Sequence, residues 1–180
     1  MSTYIFKTRW GWFGLAGSAE GLQCACLPMA DKQAVLGYLQ AEDAGGTLPE
    51  KTLSTCQGLI CDYFEGKQVD FSRMPIDWGG FTPFQRDVLR ALQMISYGKT
   101  ISYADLAELA GRPRAVRAAA NTVAKNPLPL IIPCHRVVRK DGSLGGFSAP
   151  GGITIKEKLL TLEHIDLSSG RVDSPAVHYP

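Results

Sequence analysis

Between two polar residues the chain reads Asn126-Pro127-Leu128-Pro129-Leu130-Ile131-Ile132-Pro133-Cys134, and its three prolines within seven residues exclude a helix there. Each proline fixes φ and removes an N–H, so the backbone is held extended. The apolar run Leu128 to Ile132 reads as a buried strand that delivers Cys134 at its end. His135 and Arg136 follow directly, with Arg139 and Lys140 close behind. A cysteine is a strong nucleophile as thiolate, and neighbouring cations favour that form. The competing reading is a core cysteine, because a free thiol packs as a small hydrophobe.

The 180 residues suffice for one sizeable core or two small ones. With 45% hydrophobic and 20% charged residues the composition is that of a globular protein. No apolar run approaches the roughly 18 residues of a membrane span, and Met1-Ser2-Thr3-Tyr4 lacks an export pattern. Five cysteines, an odd number, argue against a disulfide framework. Cys24 and Cys26 sit on one face of a strand, and Cys56 and Cys61 lie in a helical pattern. None has the paired spacing or nearby histidines of a zinc site, so neither metal nor cofactor is expected. Charge is uneven: residues 1–80 hold 6 basic and 9 acidic side chains, whereas 81–165 hold 12 and 6. The basic half fits either a polyanionic partner or a solvated face.

The pattern is α+β. Strands are expected at Tyr4–Trp10, Trp12–Ala16 and Leu22–Leu27, joined by glycine-containing turns, then helices from Asp31 to Gln40 and from Glu50 to Phe64. Val69–Phe71 reads as a returning strand. Residues 73–83 have the Pro/Gly density of a linker, which gives a scaffold domain at 1–75, a linker at 76–83, a second domain at 84–165 and a tail at 166–180, whose order the sequence leaves open although Ser168-Ser169-Gly170 favours mobility. In the second domain a helix runs from Pro83 to Ile95 with Val88, Leu89, Leu92 and Ile95 inward. Ser102 caps a short helix with Leu106 and Leu109 on its core face. Pro113 opens the next helix at its first position. A hairpin is expected around Gly142, Gly145 and Gly146, and a last helix from Thr154 to Leu162.

A short helix, a glycine turn and a second helix outline a helix-turn-helix. Ala115, Ala118, Ala119 and Ala120 make that second helix thin, and Arg112, Arg114 and Arg117 line its start. A thin arginine-bearing helix suits close approach to a nucleic-acid groove; a helical corner in a core is the alternative.

The stretch Thr82 to Glu163 resembles the methylated-DNA–protein-cysteine methyltransferases (O6-alkylguanine-DNA alkyltransferases). The likeness runs through Phe84-Gln85-Arg86, Tyr97-Gly98, Ser102-Tyr103, Arg117, Asn126-Pro127, Pro133-Cys134-His135-Arg136-Val137 and Lys156-Glu157-Lys158-Leu159-Leu160. The resemblance implies a small ribonuclease-H-like N-terminal domain joined to a mainly helical domain with a helix-turn-helix. It assigns the alkyl acceptor to Cys134, the base to His135, linked through water, and its orienting acid to Glu163. Asn126 braces the turn at the cysteine, and Tyr103 crowds the phosphate of the flipped nucleotide and protonates the departing guanine. Arg117 fills the gap in the base stack, Arg112 and Lys140 contact phosphate, and Phe147 and Ser148 belong to the loop that holds the base. Phe147 replaces a tyrosine of some relatives, and Ala149-Pro150-Gly151-Gly152 lengthens that loop.

The activity so implied is one-turnover transfer of an alkyl group from O6 of guanine, or O4 of thymine, to Cys134 after base flipping. The implied partner is double-stranded DNA, met by a monomer through the minor groove with little sequence preference, in the cytoplasm at the nucleoid or in a nucleus. A lesion sensor or DNA-binding regulator without chemistry is the alternative, and a cysteine hydrolase fits the adjacent Cys134-His135 pair poorly.

Overall fold

The structure, a computed structural model, describes residues 3–42 and 46–172. Its contacts define two compact units, one of residues 1–80 with 127–131 and one of residues 81–126 with 132–180.

In the first unit β1 (Thr3–Thr8), β2 (Gly11–Gly17) and β3 (Leu22–Met29) form an antiparallel sheet in that order, with Phe6 opposite Phe13 and Leu15 opposite Ala25. Strand periodicity sends alternate residues to opposite faces, and here a helix covers each face. On one side Ala16, Cys24 and Cys26 pack against Val35 and Leu39 of α1 (Lys32–Ala41). Gly14 belongs to this side, because a Cβ there would lie 2.5 Å from Val35 and 2.8 Å from Leu39. On the other side Phe64 of α2 (Glu50–Phe64) meets Phe13 with ring centroids 6.1 Å apart. Asp31 caps α1 by accepting from the Gln33 N–H at 3.0 Å.

The expected strand at Val69–Phe71 is absent. Asp70 accepts from Ser72 N–H at 2.8 Å and Phe71 C=O accepts from Met74 N–H at 3.0 Å, so local side-chain capping folds this segment into turns. Residues 75–77 instead pair with Leu22, and Asp77 gathers bonds from Ser18 at 2.6 Å, Gln23 at 2.8 Å and Gly79 at 2.9 Å. Residues 128–131 are buried without forming the expected strand. Pro127 C=O accepts from Ala25 N–H at 2.8 Å, and Leu130 turns the chain with φ 78°. Prolines that cannot donate to a ladder account for the difference.

The second unit starts with α3 (Pro83–Gln93), whose Thr82 and Gln85 make a complete capping box, and Val88, Leu89, Leu92 and Ile95 are buried as expected. A two-residue strand β4 (Ile101–Ser102) leads into α4 (Tyr103–Leu109). Gly111, with φ 71°, ends α4 in a Schellman arrangement: Arg112 N–H donates to Ala107 C=O and Gly111 N–H to Glu108 C=O, both at 2.8 Å. Leu109 is 37% exposed and not in the core. Pro113 lies in a turn closed by Ala115 N–H to Arg112 C=O at 2.9 Å, so α5 (Val116–Ala124) starts later than expected. Of the alanines only Ala119 is fully buried, and Ala118 is exposed.

After a 3₁₀ turn at Cys134–Arg136, β5 (Val137–Val138) pairs in parallel with β4, Ile101 against Val137. The glycines 142–146 form no hairpin; Asp141 accepts from both the N–H and the hydroxyl of Ser143, which closes a turn. The last helix is α6 (Gly152–Leu162). Beyond it Ile165, Leu167 and Val172 pack with Val138, Leu144 and Leu160, and Val172 N–H donates to Gly142 C=O at 2.9 Å. The tail, whose order the sequence leaves open, is thus packed as far as Val172, and its remainder lies outside the described residues. No described helix is long and apolar enough to cross a membrane.

Candidate active site

Cys134 sits on the 3₁₀ turn directly before β5, and Tyr103 is the first residue after β4. The parallel β4–β5 pair therefore brings the thiol and the phenol to one place although 31 positions separate them. Both line a cavity of about 290 Å³ with Val123 and Ala124 of α5 and with Phe147 and Ser148. That volume is at the small end of the range for small-molecule pockets, about 300–1,000 Å³. The Ser148 hydroxyl donates to Ala124 C=O at 2.5 Å and ties the loop to α5.

Asn126 closes the neck of the excursion 127–131: its amide donates to Ile132 C=O at 2.8 Å and also bonds the Cys134 sulfur. Burial pushes the Cys134 thiol above its ordinary value. The Asn126 amide, the Lys156 charge and the N–H groups of Cys134 and His135 oppose that rise without reversing it. The expected field of Arg136, Arg139 and Lys140 does not produce this balance: Arg136 is committed to Glu163, and the other two are exposed. Burial thus favours the protonated thiol at Cys134.

His135 is the next residue in the chain. Its Nε2 lies 2.7 Å from Glu163 Oε1, and both side chains are fully buried. A carboxylate only accepts, so Nε2 carries the proton and Nδ1 is the basic atom. Burial holds the imidazole below its ordinary value, and Glu163 only partly offsets this. Burial alone would raise Glu163, yet His135 and Arg136 hold the carboxyl far below the usual carboxylate range. Tyr97 donates to Leu162 C=O at 2.7 Å, and Gly98 N–H donates to Glu163 Oε2 at 3.1 Å, which clamps the end of α6. Burial, then the Cys134 charge, pushes the Tyr103 phenol up, with Arg139 opposing.

Lys156 escaped the sequence reading as a site residue. Its side chain is completely buried and donates to the carbonyls of Val137, at 2.6 Å, and Leu144. Burial lowers its pKa to about 8, and its charge acts on Cys134. The available signal was helical spacing, since Lys156, Leu159, Leu160 and Glu163 recur on one stripe. The structure brings Cys134, Tyr103, Phe147 and Ser148 together at the cavity, while His135 and Glu163 are paired with each other and are not among its lining residues. Arg112, Arg117 and Lys140 are exposed outside the cavity, and Arg112 pairs with Asp87 at 2.7 Å. Among the described residues no cluster of His, Cys, Asp or Glu could hold a metal.

Residues 83–165 match the family described as 6-O-methylguanine DNA methyltransferase, DNA binding domain. A methylated-DNA–protein-cysteine methyltransferase of Methanothermobacter thermautotrophicus is 42% identical over 105 residues, 58% of this chain and 57% of that protein. The constitutive methylated-DNA–protein-cysteine methyltransferase of Bacillus subtilis is 44% identical over 113 residues, 63% of this chain and 67% of that one. The sequence match thus spans little more than half of the first relative's length. Among solved structures, Mycobacterium tuberculosis OGT in complex with DNA superposes with a TM-score of 0.69 at 31% identity, over 89% of this chain and 91% of that one. The O6-methylguanine-DNA methyltransferase of Pyrococcus kodakaraensis gives 0.68 at 26% identity, over 90% and 99%. A cavity-lining cysteine followed by a buried His–Glu pair, on a fold that these proteins share along nearly its whole length, places the chain in the methylated-DNA–protein-cysteine methyltransferase family.

Proposed function

We propose that this chain repairs DNA by direct reversal, its Cys134 sulfur taking an alkyl group from O6 of guanine, or from O4 of thymine, once per molecule. The carrying observation is the placement of Cys134 and Tyr103 on one cavity, with the residue after the cysteine, His135, held in a buried pair with Glu163. The thiol proton passes to His135 Nδ1 through water, and the sulfur attacks the alkyl carbon in line. The S–C bond forms as the C–O6 bond breaks, and the Tyr103 hydroxyl protonates the departing base. The imidazolium proton returns to the tyrosinate through solvent. The product is a thioether, which does not hydrolyse, so each molecule reacts once.

Access to the alkyl carbon requires the nucleotide to leave the stack, at a cost of about a few kcal/mol. In this reading α4, its glycine turn and α5 act as a helix-turn-helix in the minor groove, and Arg117 occupies the vacated place. Arg112 and Lys140 bind phosphate, Arg112 exchanging Asp87 for the backbone, and Phe147 and Ser148 hold the base. That the Mycobacterium tuberculosis relative was solved in complex with DNA supports DNA binding by this fold. The first unit serves as a ribonuclease-H-like scaffold, and the protein acts as a monomer wherever DNA lies, in a cytoplasm or a nucleus.

The test uses a duplex carrying labelled O6-methylguanine in excess over protein. Label is expected to move to the protein and stop at one equivalent; a plateau above one refutes single use. Tight lesion binding with no transfer identifies a sensor instead.

A further inference from the structure

Glu163 accepts from more than the histidine. Arg136 Nε donates to Oε2 at 2.9 Å and to Oε1 at 3.2 Å, and Nη2 donates to Oε1 at 2.9 Å, a bidentate pair in which both side chains are buried. Its Nη1 donates to Ile95 C=O at 2.5 Å, which fixes the guanidinium from the α3 side. With Gly98 N–H on Oε2 and His135 on Oε1, the carboxylate's acceptor positions are taken. We infer that Arg136 is a positioning residue that neutralises Glu163 at rest, so that His135 remains an uncharged proton acceptor until the Cys134 thiolate forms.

The reasoning is a charge count in a dry site. A buried carboxylate facing only an imidazole raises its proton affinity, and an imidazolium has no lone pair left for a thiol proton. Here the carboxylate is already compensated by a permanent cation, and Lys156 places a second cation within range of the same imidazole. Tyr97, whose hydroxyl is engaged by Leu162 C=O, adds no charge. Arg136 and Lys156 against Glu163 already leave one positive charge in excess, and a resting imidazolium would add a second, which a low-dielectric interior disfavours. Once the proton leaves Cys134, the thiolate offsets the charge that the imidazolium adds. Arg136 thus makes protonation of His135 conditional on thiolate formation. This inference rests on the alkyl-transfer reading, but its first readout does not depend on it.

The test is NMR titration of the ring nitrogens of His135 in the whole protein, alongside pH profiles of methyl transfer. In the unaltered protein His135 is expected to be the neutral, Nε2-protonated tautomer at pH 7. Arg136→Gln should convert it to imidazolium at that pH and slow transfer more than tenfold, with rate recovering as pH rises. Arg136→Lys should keep the neutral ring. A purely structural arginine would slow transfer equally at every pH. If Arg136→Gln does not fold, the unaltered protein still decides: imidazolium at pH 7 overturns the inference. So does an unshifted His135 titration in folded Arg136→Gln. Absence of transfer in the unaltered protein would defeat the repair reading alone, because the titration is read without DNA.

Discussion

Asn126 does two jobs with one amide, and both can be read separately. It satisfies the Ile132 carbonyl, in a residue with no exposed surface, and it bonds the Cys134 sulfur. Asn126→Ala leaves that carbonyl unpaired, so denaturant unfolding should register a loss of about 1–3 kcal/mol. It also removes an interaction that favours the thiolate, so the pH at which transfer reaches half its maximum should move upward; an unmoved profile would leave Asn126 with bracing alone. The sequence marked this site through proline stiffness and the cysteine, and through a family likeness for the partners. It misjudged the cations. Arg136, Arg139 and Lys140 are near Cys134 in sequence, whereas the charge acting on the sulfur comes from Lys156, 22 residues on, because α6 folds its buried stripe against β5.

Two glycines of the second unit allow an element-level comparison. Gly98 and Gly111 both have φ near +70°, a conformation costing other residues about 1–2 kcal/mol. A Cβ on Gly111 meets open space, whereas one on Gly98 would lie 3.3 Å from Glu163 C=O, and the Gly98 N–H holds Glu163 Oε2. Both alanine variants should lose about 1–2 kcal/mol in thermal unfolding. Only Gly98→Ala should also slow methyl transfer; equal transfer rates would detach the Tyr97-Gly98 turn from the site. Helices with caps and long apolar stripes, such as α3, were legible because capping and periodicity agree. The β4–β5 pair was not, since two-residue strands carry no period to read. Yet that pair brings Tyr103 to Cys134. The hairpin and strand expected near Gly142 and at Val69–Phe71 failed for a shared reason: Asp141 and Asp70 capped local turns more readily than the backbone formed ladders.

At the scale of the whole molecule the buried thiols set alkaline behaviour. Burial pushes Cys24, Cys26 and Cys56 up to about 12 from an ordinary value of 9.0. Unfolded thiols ionise above pH 9 while the folded ones keep their protons, so stability is present below pH 9 and is lost as pH rises toward 12. The loss is about 1.4 kcal/mol per pH unit for each ionising thiol. Chemical denaturation between pH 8 and 10.5 should show this slope, and Cys56→Ala should remove one thiol's share. On the acid side His135 and Glu163 are both depressed, so stability should fall below pH 6.5 and again below pH 4.5. The account as a whole depends on the fate of one sulfur among five. After incubation with a duplex containing O6-methylguanine, peptide-resolved mass spectrometry should find one added methylene on the peptide bearing Cys134. Cys24, Cys26, Cys56 and Cys61 should be unchanged, and a Cys134→Ser protein should gain nothing. An unmodified Cys134 in folded protein that still holds the lesion would contradict it.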